Sequence, residues 1–145
     1  FERQVRVATA ARFRQGLAPL PGAVELLRRL RIPYCVASNG PREKMELTLG
    51  LSGLRALIGE RIFSAYEVGS FKPEPGLFLH AAAAMAVEPE RCAVVEDSLP
   101  GVIAGVAAGM RVFSLEPQPG LPAEVAGSVR FIAGLADFDR LLHGR

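Results

Sequence analysis

Half of the 145 residues are apolar, 22% are charged and the formal net charge is +2. These are the proportions of one soluble globular domain with a sizeable core, and they exclude a disordered chain. Fifteen Arg, two Lys and fifteen acids are scattered without a basic run, so nucleic acid is not an expected partner. The longest apolar runs, such as Gly101 to Met110, fall far short of the ~18 residues of a membrane span. Phe1-Glu2-Arg3-Gln4 lacks a signal-peptide pattern, so a cytoplasmic protein without a membrane partner is expected.

Residues 1–18 carry an Arg-rich, Ala-rich helical pattern that ends near Gly16, and Leu20-Pro21-Gly22 restarts the chain. Beyond it, β-like segments at Ile32 to Ser38, Arg61 to Tyr66, Cys92 to Glu96, Arg111 to Leu115 and Val129 to Ile132 alternate with helical patterns. The helices are expected at Gly22 to Leu30, Pro41 to Leu49, Pro75 to Ala86 and Pro100 to Ala108. Near-continuous apolar strands imply a sheet covered on both faces, and the alternation gives an α/β fold with a parallel sheet. Cys35 and Cys92 lie inside apolar runs and are expected to be reduced and buried. His80 and His143 have no partner that points to catalysis, and Met45, Met85 and Met110 belong with the core.

In an open parallel sheet, ligands bind beyond the carboxyl ends of the strands, so the places where apolar runs turn polar deserve inspection. The first is Ser38-Asn39-Gly40-Pro41, where a hydroxyl and a glycine turn open into a helix whose free N–H groups favour an anion such as phosphate. An ordinary N-cap is the alternative. The second is Lys72, held in a loop stiffened by Pro73 and Pro75; a fixed ammonium suits a phosphoryl oxygen, whereas a solvated surface lysine is the bland reading. The third is Glu96-Asp97-Ser98, where adjacent acids close a strand. A hard cation such as Mg²⁺ would hold them together, although Asp97 or Ser98 could also be an N-cap.

Taken in order, these three ends resemble the later motifs of the haloacid dehalogenase-like hydrolases, over nearly all of residues 19–145. The stretches Phe71-Lys72-Pro73-Glu74-Pro75 through Phe78, Cys92 to Ser98 and Ala107 to Met110 are most similar to the β-phosphoglucomutase and sugar-phosphatase branch, notably 6-phosphogluconate-phosphatase-like proteins. The resemblance implies a Rossmann-like parallel core. It also implies a Mg²⁺-dependent phosphatase acting on a small phosphorylated metabolite such as a sugar phosphate. In that scheme Ser38 and the backbone of Asn39 hold the phosphate, Lys72 bridges phosphate and nucleophile, Asp97 binds Mg²⁺, and Glu96 assists through water. A phosphomutase is the related alternative, and a non-catalytic phosphate- or protein-binding module is the alternative of a different class.

Two departures matter. Gly76 stands where this branch carries an acid after Lys-Pro-x-Pro. More importantly, the family's nucleophile, the first Asp of an Asp-x-Asp ending the first strand, has no counterpart before Leu20. Asp137-Phe138-Asp139 reads instead as the start of a short amphipathic helix, with Leu135, Phe138 and Leu142 facing inward. The resemblance therefore implies that residues 1–18 are the end of a helical cap and that residues 19–145 are the core without its first strand. A chain so composed is expected to be inactive alone, and to expose unpaired strand edges.

Overall fold

In the computed structural model, the structure describes residues 4–7 and 21–143. Six strands form one sheet in the order β3-β2-β1-β4-β5-β6. They are β1 (Gln4–Val7), β2 (Tyr34–Ser38), β3 (Ile62–Ser64), β4 (Cys92–Glu96), β5 (Arg111–Ser114) and β6 (Val129–Phe131). Every pairing is parallel, so all carboxyl ends emerge at one edge. The helices that matter for that edge are α1 (Ala23–Arg29), α2 (Arg42–Leu51), α3 (Arg55–Ile58), α4 (Ala65–Val68), α5 (Gly76–Ala84), α6 (Leu99–Ala107), α7 (Ala123–Ala126) and α8 (Leu135–Leu142).

Alternation along the strands distributes side chains to two cores, one on each face of the sheet. On one face Tyr34, Val36, Ala93, Val95 and Phe113 meet Leu26, Leu49, Ile58 and Phe138. On the other, Ala37, Val94 and Val112 meet Leu77, Phe78, Ala82 and Val102. Full burial of each such Leu, Val or Phe contributes about 1.5–3 kcal/mol. Glu96 continues the row of Cys92 and Val94, so its side chain is delivered to the face covered by α5 and α6. That parity decides which groups it meets.

The expected α/β order from Ile32 onward is present, with boundaries shifted by a few residues. Arg61 to Tyr66 is shorter as a strand, because Ser64 caps α4 by accepting from the Tyr66 N–H, which ends the extended run. α3, α4 and α7 have four residues each, one turn, too short to show a helical period in the sequence. α8 forms as expected, with Leu135 and Phe138 buried and Leu142 partly so. Cys35 and Cys92 are buried thiols without a disulfide.

Residues 4–7 differ from one expectation. The helical pattern proposed over 1–18 gives way there to β1, which lies between β2 and β4, with Val5 opposite Tyr34 and Ala93. The physical reason is backbone satisfaction. β2 and β4 would each present a row of unpaired N–H and C=O groups, and a Gln-Val-Arg-Val segment in extended form satisfies both rows. Residues 1–3 and 8–18 of that expected helix lie outside the described residues.

Candidate active site

The carboxyl edge of the sheet is built from strand ends in register: Ser38 stands opposite Ser64, Glu96 opposite Ser114, and Val7 opposite Val95. Ser64 and Ser114 are fully buried and satisfied locally. The Ser64 hydroxyl donates to the Gly40 carbonyl at 2.7 Å, and that of Ser114 to the Glu116 carbonyl at 2.6 Å. These bonds fold the turns after β2 and β5 back onto the sheet.

Lys72 is buried, with only 6% of its surface exposed, although its neighbours Phe71, Pro73 and Glu74 face solvent. Its ammonium donates to the Ala37 carbonyl at 3.0 Å and to Glu96 Oε2 at 2.8 Å, and stands 5.0 Å from the centre of the Phe78 ring. Ala37 belongs to β2 and Glu96 to β4, the two neighbours of β1, and adjacent strands are about 4.8 Å apart. The cation therefore stands over the carboxyl end of the central strand. A desolvated ammonium is tolerable only with a charged partner and hydrogen bonds. The surface-lysine reading is excluded by this burial.

Glu96 is fully buried and both oxygens are engaged. Oε2 takes Lys72, and Oε1 accepts from the backbone N–H of Asp97 at 3.1 Å, from that of Ser98 at 3.3 Å and from the Ser98 hydroxyl at 3.2 Å. The partner that sequence reasoning sought for this acid in a cation is thus the Lys72 ammonium. The carboxylate fits because Gly101 stands in the first turn of α6: a Cβ there would lie 2.0 Å from Glu96 Cδ. Ser98 is the N-cap of α6, accepting from the Gly101 N–H, so the capping alternative holds for Ser98 and frees Asp97.

Asp97 is the unsatisfied group of this edge. Its Oδ1 is buried without a hydrogen-bond partner among the described residues. Burial first, then the charge of Glu96, raises its pKa from 3.8 to about 6. Gln118 donates its amide to the Asp97 carbonyl oxygen at 2.9 Å, holding the loop after β5 against this turn. Sequence reasoning missed Gln118, whose only signal was a position just past a strand end.

The first strand end also differs from an N-cap. The cap of α2 is Pro41, which makes no side-chain bond, while Ser38 Oγ accepts from the Gly40 N–H at 3.0 Å. Asn39 reaches away from α2: its Oδ1 accepts from the Lys72 N–H at 2.9 Å and its Nδ2 donates to the Lys72 carbonyl at 3.2 Å. Gly76, the other departure, leaves room for Ser70, whose Oγ would lie 2.3 Å from a Cβ at that position. Ser38, Asn39, Lys72, Glu96 and Asp97 therefore share one edge. Asp137 and Asp139 belong to α8, where Asp137 pairs with Arg140 and Asp139 pairs with Arg29 at 2.9 Å.

A family model described as haloacid dehalogenase-like hydrolase matches residues 2–109. The chain belongs to this family. It is 39% identical over 118 residues to the 6-phosphogluconate phosphatase of Escherichia coli K12, a match covering 81% of this chain and 53% of that protein. With hexitol phosphatase A of the same organism it shares 33% identity over 111 residues, covering 74% of this chain and 50% of the relative. A haloacid dehalogenase family hydrolase of Deinococcus radiodurans R1, solved with bound phosphate and sodium, superposes with a TM-score of 0.76 at 36% identity, covering 86% of this chain and 59% of that one. The chain spans about half the length of the curated relatives it matches. Among the described residues, no helix is long and apolar enough to cross a membrane.

Proposed function

We propose that this chain is the core of a phosphatase that releases phosphate from a small phosphorylated metabolite, a sugar phosphate by the names of its relatives, with Mg²⁺ as cofactor. The observation that carries the reading is the Lys72 ammonium, buried with Glu96 over the end of the central strand. In this reading Lys72 neutralises a phosphoryl oxygen, while the Ser38 hydroxyl and the backbone N–H groups after β2 orient the group for in-line attack. Asp97 suits a hard cation, since its Oδ1 has no other partner among the described residues and its charge is opposed by Glu96. Glu96, committed to Lys72, reaches such an ion only through water. Bound there, Mg²⁺ supplies charge neutralisation for the phosphoryl oxygens.

The covalent step of this scheme is attack by an aspartate on phosphorus to form an aspartyl-phosphate, with the alcohol leaving. That aspartate must stand beside Lys72, and residues 1–145 place Asp only at 97, 137 and 139. The proposal therefore concerns this chain together with a segment that supplies the nucleophile, and the chain alone is expected to show no turnover. The test is phosphate release from a panel of sugar phosphates by protein that includes such a segment. We expect Mg²⁺-dependent release that Asp97→Ala abolishes, together with its affinity for Mg²⁺. Near-native release by that variant would overturn the metal assignment.

A further inference from the structure

The strongest unexplained contact at the edge is the one between Asn39 and Lys72, which lie 33 residues apart. We propose that the Asn39 side chain is a positioning residue that clamps the backbone of Lys72 and so sets where its ammonium stands. This inference deepens the phosphatase reading and rests on Lys72 binding phosphate.

Between α4 and α5, Phe71, Pro73 and Glu74 are exposed and Lys72 alone turns inward, so something must hold the backbone against the sheet. The loop's own turn, from the Glu74 N–H to the Phe71 carbonyl at 2.9 Å, spans Lys72 without using either of its backbone groups. Asn39 uses both, accepting from the N–H and donating to the C=O in the manner of one rung of a ladder. The ammonium is tied at the other end to Ala37, two residues before Asn39. Both ends of Lys72 are thereby fixed to the carboxyl end of β2, and its long stem loses the freedom that a flexible lysine ordinarily retains.

The chemistry calls for an amide. Aspartate keeps the acceptor for the N–H but turns an oxygen toward the Lys72 carbonyl, and alanine loses both bonds. This is the only Asn in the chain, and no helix cap explains it, since α2 is capped at Pro41 without a side-chain bond.

The experiment uses protein that includes the nucleophile-bearing segment, titrates inorganic phosphate into the wild type, Asn39→Asp, Asn39→Ala, Lys72→Arg and the double variant Asn39→Ala with Lys72→Arg, and follows exchange of the Lys72 backbone amide in parallel. Arginine keeps a cation against Glu96 but replaces the ammonium. We expect Lys72 amide exchange to accelerate at least tenfold in Asn39→Ala and less in Asn39→Asp. Phosphate affinity should fall in the same order, about tenfold for Asn39→Ala. In the Lys72→Arg background, Asn39→Ala should add less than twofold.

An unchanged Lys72 amide, native affinity in Asn39→Ala, or fully additive losses in the double variant would each overturn the positioning role while leaving the phosphatase reading intact. Absence of phosphate binding by the wild type, or full affinity in Lys72→Arg, would instead overturn the reading on which the inference rests. Should Asn39→Ala fail to fold, Asn39→Asp alone decides between these outcomes, because it keeps one of the two bonds.

Discussion

At the scale of single residues, the site is governed by how each charge is compensated once water is removed. Lys72 and Glu96 form a desolvated pair, a geometry in which removing one partner strands the other. Lys72→Met should therefore lower the stability to urea by about 3–5 kcal/mol, a loss far beyond that of a surface lysine. A change under about 1 kcal/mol would show that Glu96 finds another partner. Asp97 behaves in the opposite sense. With its pKa raised to about 6, the metal-free native state keeps a proton that the unfolded chain gives up near pH 4. Its contribution to stability is therefore complete below about pH 4 and is lost as the pH rises to 6. In EDTA, the native chain should lose on the order of 1–2 kcal/mol relative to Asp97→Asn across that window, after allowance for solvent reaching a partly exposed group. Urea unfolding of both proteins at pH 4, 5, 6 and 7 measures it, and parallel curves would refute the shift.

At the scale of elements, the strand–turn–helix unit from β4 to α6 fixes the acid end. Ser98 caps α6 and bonds Glu96, and α6 approaches closely enough that only glycine fits at Gly101. Gly101→Ala, although favoured by helix propensity, should be destabilising by about 1–3 kcal/mol, since a Cβ at 2.0 Å from the Glu96 carboxyl carbon must displace either the carboxylate or the helix. Thermal unfolding reads this directly, and a stabilised variant would mean that the helix is free to shift. Such units were legible in the sequence because β4 is apolar throughout and turns polar abruptly at Glu96. The pairing of Glu96 with Lys72 was not legible, because it depends on the parity that sends Glu96 to the α5 face and on a loop 24 residues earlier. The Asn39 side-chain contact was not legible either, since nothing in Ser-Asn-Gly-Pro announces a bond to residue 72.

At the scale of the whole molecule, the sheet depends on the strand at its centre. The order β3-β2-β1-β4-β5-β6 makes β1 the one strand that joins the half carrying Ser38 to the half carrying Glu96, so the Lys72 bridge between Ala37 and Glu96 depends on it. The alternation of elements revealed the flanking strands, but four residues in an Arg- and Ala-rich stretch carry too little pattern to separate strand from helix. A proline decides between them. In a strand paired on both sides every N–H serves a ladder, so Val5→Pro removes one bond and forces the backbone away from its partners. With Gln4–Val7 at the centre, Val5→Pro should cost about 1–3 kcal/mol for the stranded ladder partner alone and uncouple the two halves, seen as a broadened or biphasic urea transition with loss of phosphate binding. An unchanged transition and unchanged phosphate affinity would overturn this placement and return residues 1–18 to the end of a helical cap that the core does not use. On that outcome the central position would belong to a strand of another segment, which would also have to bring the aspartate.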